Sequence, residues 1–280
     1  AWPRAFAGLF ARNGLVISAI AALCVAAFIF GFAAVNDRAV LYGIHTGPGA
    51  FYQLMPHNAM VALFGAAFLY AILALVMSVR AFWRDIGEPV GMTTNAKSLF
   101  QAIRDAGELR YLDGGGVGCF NEDEKPTDRR KIFHHLTFYG FSLCFAATCV
   151  ATLYHYLLGR EAPYPWWDLP VVLGTLGGIG LLIGPIGLLV AKSTRDPVLA
   201  DEKRYGMDVA FILMLFLTSL TGLVLLVLRE TAAMGPLLAI HIGVVFALFI
   251  TMPYGKFVHG IYRFVALVRY ARERQMIGNT

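Results

Sequence analysis

The sequence predicts an all-α membrane protein, a bundle of six transmembrane helices with a cytoplasmic amphipathic helix between spans two and three. Two observations predict it. Of the 280 residues, 58% are hydrophobic and only 15% are charged, against roughly 25% charged in soluble domains. The apolar residues also gather in six stretches that hold no Asp, Glu, Lys or Arg. Each is as long as the ~20 residues a helix needs to cross ~30 Å of hydrocarbon. This composition excludes a soluble enzyme and a disordered chain. A transmembrane β-barrel would show segments of about ten residues with alternating polarity, and none of the six alternates.

The first span (13–35) is longer than the roughly 7–15-residue core of a secretory leader and lacks a small-x-small cleavage site, so it is expected to stay in the membrane. The others cover 58–79, 132–158, 169–191, 209–228 and, with an inner extension, 232–262; residues 1–280 read as one membrane domain. The polar connector 80–131 separates spans two and three. Within it Leu99, Ile103, Ala106 and Leu109 recur at helical spacing beside Lys97, Arg104, Asp105 and Glu108. That pattern predicts a helix from about Thr94 to Leu112 with Asn95 or Thr94 as cap, lying on the inner membrane surface or docking a cytoplasmic partner. Gly114–Gly118 follows; no strand precedes it and no helix opens after it, so it reads as a flexible connector rather than a phosphate loop. On the fourth span Gly177, Gly180, Gly184 and Gly187 form a bare stripe, for close helix packing or for the approach of a flat macrocycle.

With a cytoplasmic amino terminus, twenty of the 23 Lys and Arg residues lie on the inner side and only Arg38, Arg160 and Arg229 in outer loops. The bias of basic residues toward the cytoplasm therefore puts both termini inside, as in a multi-pass protein of a bacterial inner membrane. It also explains the net charge of +5 without nucleic-acid binding, because the cations sit at span ends. Cys24, Cys119, Cys144 and Cys149 share no C-x-x-C spacing, and small buried thiols are ordinary in apolar spans.

With no acid or base inside the spans, the histidines are the groups able to carry chemistry. His134, His135 and His155 fall on the third span, His241 and His259 on the sixth and its extension, His57 at the start of the second, and His45 in an outer loop. His241 and His259 are eighteen residues apart, about five turns, so a continuous helix projects both from one face. His134 and His155 lie about 60° apart around their helix, whereas His135 and His155 lie about 160° apart. Spans three and six run in opposite directions, and the two separations match within about a turn. Two pairs result: His134 with His259 at the inner level and His155 with His241 at the outer.

Paired neutral imidazoles from facing helices are the axial ligands of low-spin haem, and occupying both axial positions suits electron transfer rather than oxygen binding. Zinc or a di-iron centre needs ligands clustered at one level. The reading is thus two b-type haems with His134, His259, His155 and His241 as iron ligands. His57 competes for the outer site, and His135 is a surface or supporting residue. Arg129, Arg130, Lys131 and Lys256 are candidates to neutralise propionates. Pro253, between His241 and His259, would spoil their common phase if it kinks the helix.

A resemblance rests on Leu112-Asp113-Gly114-Gly115-Gly116 with Cys119 shortly after, on the run from Arg129 through His134-His135 to Phe141, on Ala146-Ala147-Thr148 leading to Tyr154-His155, and on His241 and His259. Through these the chain resembles the membrane part of the TcuB, or CitB-type, tricarballylate-utilisation family. That family is similar in architecture to the gamma subunit of respiratory nitrate reductase. The resemblance implies electrons taken from a cytoplasmic flavoprotein or iron–sulfur partner that oxidises a tricarboxylic acid and passed to the quinone pool. Family members carry an amino-terminal ferredoxin-like region with two iron–sulfur clusters. No cysteine motif of that kind precedes the first span, which implies a separate subunit or the absence of that module from this chain.

The expectation is therefore a membrane electron-transfer subunit of an oxidoreductase complex, in contact with lipid, a cytoplasmic redox partner and quinone. The rival from another class is a haem-free transporter or assembly anchor, for which a break at Gly184-Pro185 would be a sign. A cytochrome anchor for a nitrate reductase or hydrogenase shares the haems and differs only in its partner.

Overall fold

In hydrocarbon every backbone N–H and C=O must find its partner inside the segment, and each of the six apolar runs does so as a helix. The computed structural model describes residues 2–3, 5–6, 8, 14–87, 95–112, 119–120, 126–193 and 202–277. Its long helices are α1 (Gly14–Val35), α2 (His57–Asp85), α3 (Ala96–Gly107), α4 (Arg129–Leu158), α5 (Leu169–Ser193), α6 (Glu202–Leu228), α7 (Met234–Thr251) and α8 (Phe257–Ile277). Six of them, all except α3 and α8, are long and apolar enough to cross a membrane, α6 over Gly206–Leu228. A two-residue antiparallel pairing, Cys119–Phe120 with Pro126–Thr127, lies in the connector. The connector glycines Gly114–Gly118 and the alternative cap Thr94 lie outside the described residues.

The bundle is built around glycine. At α4–α5 a Cβ on Gly140 would stand 2.9 Å from the Gly177 carbonyl oxygen, and one on Gly177 would stand 2.7 Å from that of Gly140. Gly180 meets the Leu136 carbonyl at 2.9 Å and Gly184 the Thr137 hydroxyl at 2.5 Å, while Gly187 lies under the Phe133 ring. The glycine stripe is therefore covered by α4: it serves helix packing, and no face remains for a macrocycle. α5 runs without a break through Pro185. Ser219 of α6 donates to the Gly178 carbonyl at 2.6 Å, tying α6 to the other side of α5.

On the far flank α1 lies along α7 and α6, and α2 leans on α7. The backbone of α4 packs closely on α5 but not on α2 or α7. Side chains bridge that interval: Phe68 of α2 stacks on Phe145 of α4, ring centroids 6.2 Å apart, and meets Phe249 of α7 edge-on at 5.9 Å.

The sixth span differs from the sequence expectation of 232–262. α7 stops at Thr251, and α8 begins as a separate helix at Phe257. Pro253 has no N–H to continue the ladder. The N–H groups of Tyr254 and Gly255 both turn back to the Thr251 carbonyl, each at 3.0 Å. His241 and His259 therefore lie on two separate helices and share no single helix face.

α3 begins where Asn95 accepts from the Ser98 N–H at 2.7 Å, a helix cap that leaves fewer orphan donors. It ends at Gly107, shorter than expected, and Leu109 follows at φ 46°. Its buried residues are Ser98, Ala102 and Asp105, which face protein, and α8 is its main neighbour. The Asp105 carboxylate accepts from Gln101 at 2.9 Å. Tyr139 donates to the Gly107 carbonyl at 2.8 Å, and His135 lies 3.2 Å from the same oxygen. The apolar stripe points the other way, with Leu99, Phe100 and Ile103 at 42, 70 and 54% exposure.

Two outcomes follow from this packing. Gly177→Leu should lower thermal stability in detergent by roughly 1–3 kcal/mol or prevent assembly, whereas Gly65→Ala, which meets nothing within 4 Å, should leave it nearly unchanged. Trp in Phe100→Trp should be quenched by brominated acyl chains in bilayers; water-like emission without quenching would place the stripe in solvent.

Candidate functional site

The basic end of the bundle holds a cavity of about 1660 Å³ between α3, α4, α5, α6 and α8, above the roughly 300–1000 Å³ usual for small-molecule sites. His134 of α4 and His259 of α8 both line it. Two helices that the sequence reading paired thus bring these imidazoles to one space, although the broken sixth span changes the route by which His259 arrives. The His134 Nδ1 is buried with no hydrogen-bond partner among the described residues. Burial first, and then the charges of Lys256 and Arg263, hold the His259 pKa below its ordinary value, against the opposing pull of Asp208.

Charges around the cavity divide into two groups. Asp208 of α6 accepts from Lys192 of α5 at 2.8 Å and forms an ion pair with Lys256 at 2.9 Å, so one carboxylate clasps three segments and is shared by two ammonium groups. Lys256 is thereby committed to the protein. Of the three basic residues proposed at the start of α4, Arg129 and Arg130 line the cavity and Lys131 does not. Arg263 also lines it, and with Arg130 it acts electrostatically on His134. The sequence reading missed Arg263. The available signal was its position one turn after His259 on the same helix face.

At the opposite end the structure brings together His155 and His57, the competitor, rather than His155 and His241. Their rings stack with centroids 3.7 Å apart and an interplanar angle of 22°. Tyr52 lies edge-on to both and Tyr156 flanks the pair, its hydroxyl 3.4 Å from the His57 Nε2. The Nδ1 atoms of both histidines are buried without partners among the described residues. His241 instead lies against α6, its Nδ1 3.0 Å from the Thr221 hydroxyl. His45 lies 2.7 Å from the Val40 carbonyl, within its own loop.

The same end is closed by polar and aromatic contacts. Arg229 is buried, donates to the Tyr164 carbonyl at 2.7 Å and lies 4.7 Å over the Trp166 ring. Burial pushes the Tyr164 hydroxyl up to about 12, so it remains a donor to the carbonyls of Ala151 and Arg160. Among the described residues no three His, Cys, Asp or Glu side chains gather around one point. Cys24, Cys144 and Cys149 are free thiols; the side chain of Cys119 lies outside the described residues.

Comparison with known proteins agrees with the motifs around His134. The family described as citrate utilization protein B matches residues 10–279. The chain belongs to this family. A citrate utilization protein B from Escherichia coli is 48% identical over 277 residues, which are 98% of this chain and 71% of that protein. No solved structure matches. The family match spans all six membrane helices and both histidine levels of this family member.

Asp208→Asn should leave Lys192 and Lys256 facing each other without their shared carboxylate. The expected loss of stability is about 1–3 kcal/mol, read as an earlier thermal transition in detergent, with Lys256→Gln alone costing less.

Proposed function

We propose that this chain is the membrane electron-transfer subunit of a citrate- or tricarballylate-utilising system. It is a di-haem cytochrome b of the bacterial inner membrane, with both termini cytoplasmic, that carries electrons between a cytoplasmic flavin or iron–sulfur partner and the quinone pool. The observation that carries the reading is the cavity at the basic end, where His134 and His259 arrive from separate helices beside Arg129, Arg130 and Arg263. Family membership supports the pathway, and the concentration of basic residues at that end supports its cytoplasmic placement.

Each chain residue then has a role. His134 and His259 hold the inner haem iron, and the guanidinium groups of Arg129, Arg130 and Arg263 neutralise its carboxylates. His155 and His241 hold the outer haem. Haem bound at these positions supplies a one-electron ferric–ferrous couple. His57 is the second contender at the outer level. As it stands, its ring lies face to face with that of His155, and stacked rings aim their nitrogens sideways rather than at an atom between them. His57 therefore covers the face of His155. Phe68, Phe145 and Phe249 keep water out between the two levels.

The purified chain should show a b-type alpha band in its dithionite-reduced minus oxidised spectrum and about two haems per chain. His241→Ala should lose one haem, His134→Ala the other, and His57→Ala neither. A chain without an alpha band returns the protein to the haem-free transporter or anchor class. Loss of one haem in His57→Ala, with none lost in His241→Ala, transfers the outer ligand to His57.

A further inference from the structure

His241 differs from two of the other proposed ligands in what meets its ring. The buried Nδ1 atoms of His134 and His155 have no hydrogen-bond partner among the described residues, whereas the Nδ1 of His241 is met by the Thr221 hydroxyl at 3.0 Å. We propose that Thr221, with Gly222 beside it, is a positioning residue that fixes the tautomer and the aim of the His241 ring. The inference rests on the outer haem reading for its use, but not for its geometry.

Counting protons decides which atom donates. A threonine hydroxyl has one hydrogen to give and two lone pairs to offer. Thr221 Oγ1 lies 2.7 Å from the Leu217 carbonyl and 3.3 Å from that of Thr218. Carbonyl oxygens only accept, so the hydroxyl proton is committed to the near one at 2.7 Å. Toward His241 the hydroxyl therefore presents a lone pair, and the Nδ1 must carry the hydrogen. A neutral imidazole has a single N–H. Its Nε2 is consequently left with a bare lone pair, and among the described residues no group bonds to it. That is the protonation pattern of an imidazole ready to bind a metal, set before any metal arrives.

Gly222 fixes the position of the same ring. A Cβ there would stand 2.9 Å from the His241 Cε1, 3.4 Å from Nδ1 and 3.5 Å from Nε2. The absent side chain lets the imidazole lie against the backbone of α6, where the hydroxyl of the preceding residue can reach its Nδ1. One hydroxyl and one missing side chain, adjacent in sequence, thus make a seat for one ring. Outer partners of this kind hold a ligating histidine in orientation, and their loss costs ~10–100-fold in metal affinity.

The test uses the full chain in detergent in two arms. In the first, haem-free protein labelled with ¹⁵N-histidine is read by NMR, with the His241 signals assigned by their absence in His241→Ala. Wild type should show the Nδ1–H tautomer at His241, Thr221→Ser should keep it, and Thr221→Val should lose the preference. An Nε2–H tautomer in wild type, or an unchanged ring in Thr221→Val, would overturn the proposal. In the second arm haem is titrated back. Thr221→Val should weaken one of the two sites ~10–100-fold and raise that haem's midpoint potential alone, with Thr221→Ser close to wild type; equal effects on both haems, or none, refute the role. Should Thr221→Val not fold, Thr221→Ala removes the same hydroxyl. Wild-type protein that takes up no haem defeats the functional reading, and the NMR arm still decides the tautomer.

Discussion

The close approach of α4 and α5 is the constraint on which the remaining geometry depends. Gly140 and Gly177 allow two backbones to meet where any side chain would collide with a carbonyl oxygen. In a bilayer, where apolar side chains gain little by leaving lipid for protein, such close contact is what holds helices together. Because α4 is held along that face, it need not pack its backbone on α2 or α7. The interval so created holds phenylalanine rings and, at one end, stacked imidazoles, while toward the other end of α4 a cavity opens against α3, α5, α6 and α8. His134, Phe145 and His155 reach these places from neighbouring faces of the same helix.

The spans were legible because solvation by hydrocarbon acts on composition alone, and the six charge-free stretches needed no tertiary information. Direction was less legible. The stripe of Leu99 and Ile103 reads as a face seeking a core, yet Ser98, Ala102 and Asp105 face the protein. Here the small and polar residues pack against the neighbouring helices and the larger apolar ones stay exposed, the reverse of the soluble rule. Pro253 announced a break in the sixth span, but whether the helix bends or stops depends on the Thr251 carbonyl accepting from two N–H groups. The stacking of His57 on His155 was not readable, since the chain between α1 and α2 decides where that imidazole lies. Nothing in the sequence marks Thr221, an ordinary threonine in an apolar helix until its neighbour across the interface is known.

The two ends offer different surroundings to whatever binds there. One is a roomy cavity ringed by guanidinium groups, with a carboxylate that ties down two lysines. The other is tight and aromatic, with Tyr52 and Tyr156 against the imidazoles and a buried Arg229 bonded to a carbonyl. Positive charge stabilises the electron-rich state of any redox group held near it, so the two ends differ in the electrostatic environment that they offer.

The interruption between α7 and α8 acts as a joint between two levers. The orientation of α7 is set by its bed against α1 and α6, whereas α8 is steered by the Lys256–Asp208 pair, by Asn95 reaching Gln275 at 2.9 Å, and by Arg269 reaching the Ile86 carbonyl at 3.2 Å. The turn between them is itself packed, with Thr251, Met252, Pro253 and Tyr254 all buried. His241 and His259 are thus carried by helices with different anchors, so a change in the contacts of α8 acts on the aim of His259 first.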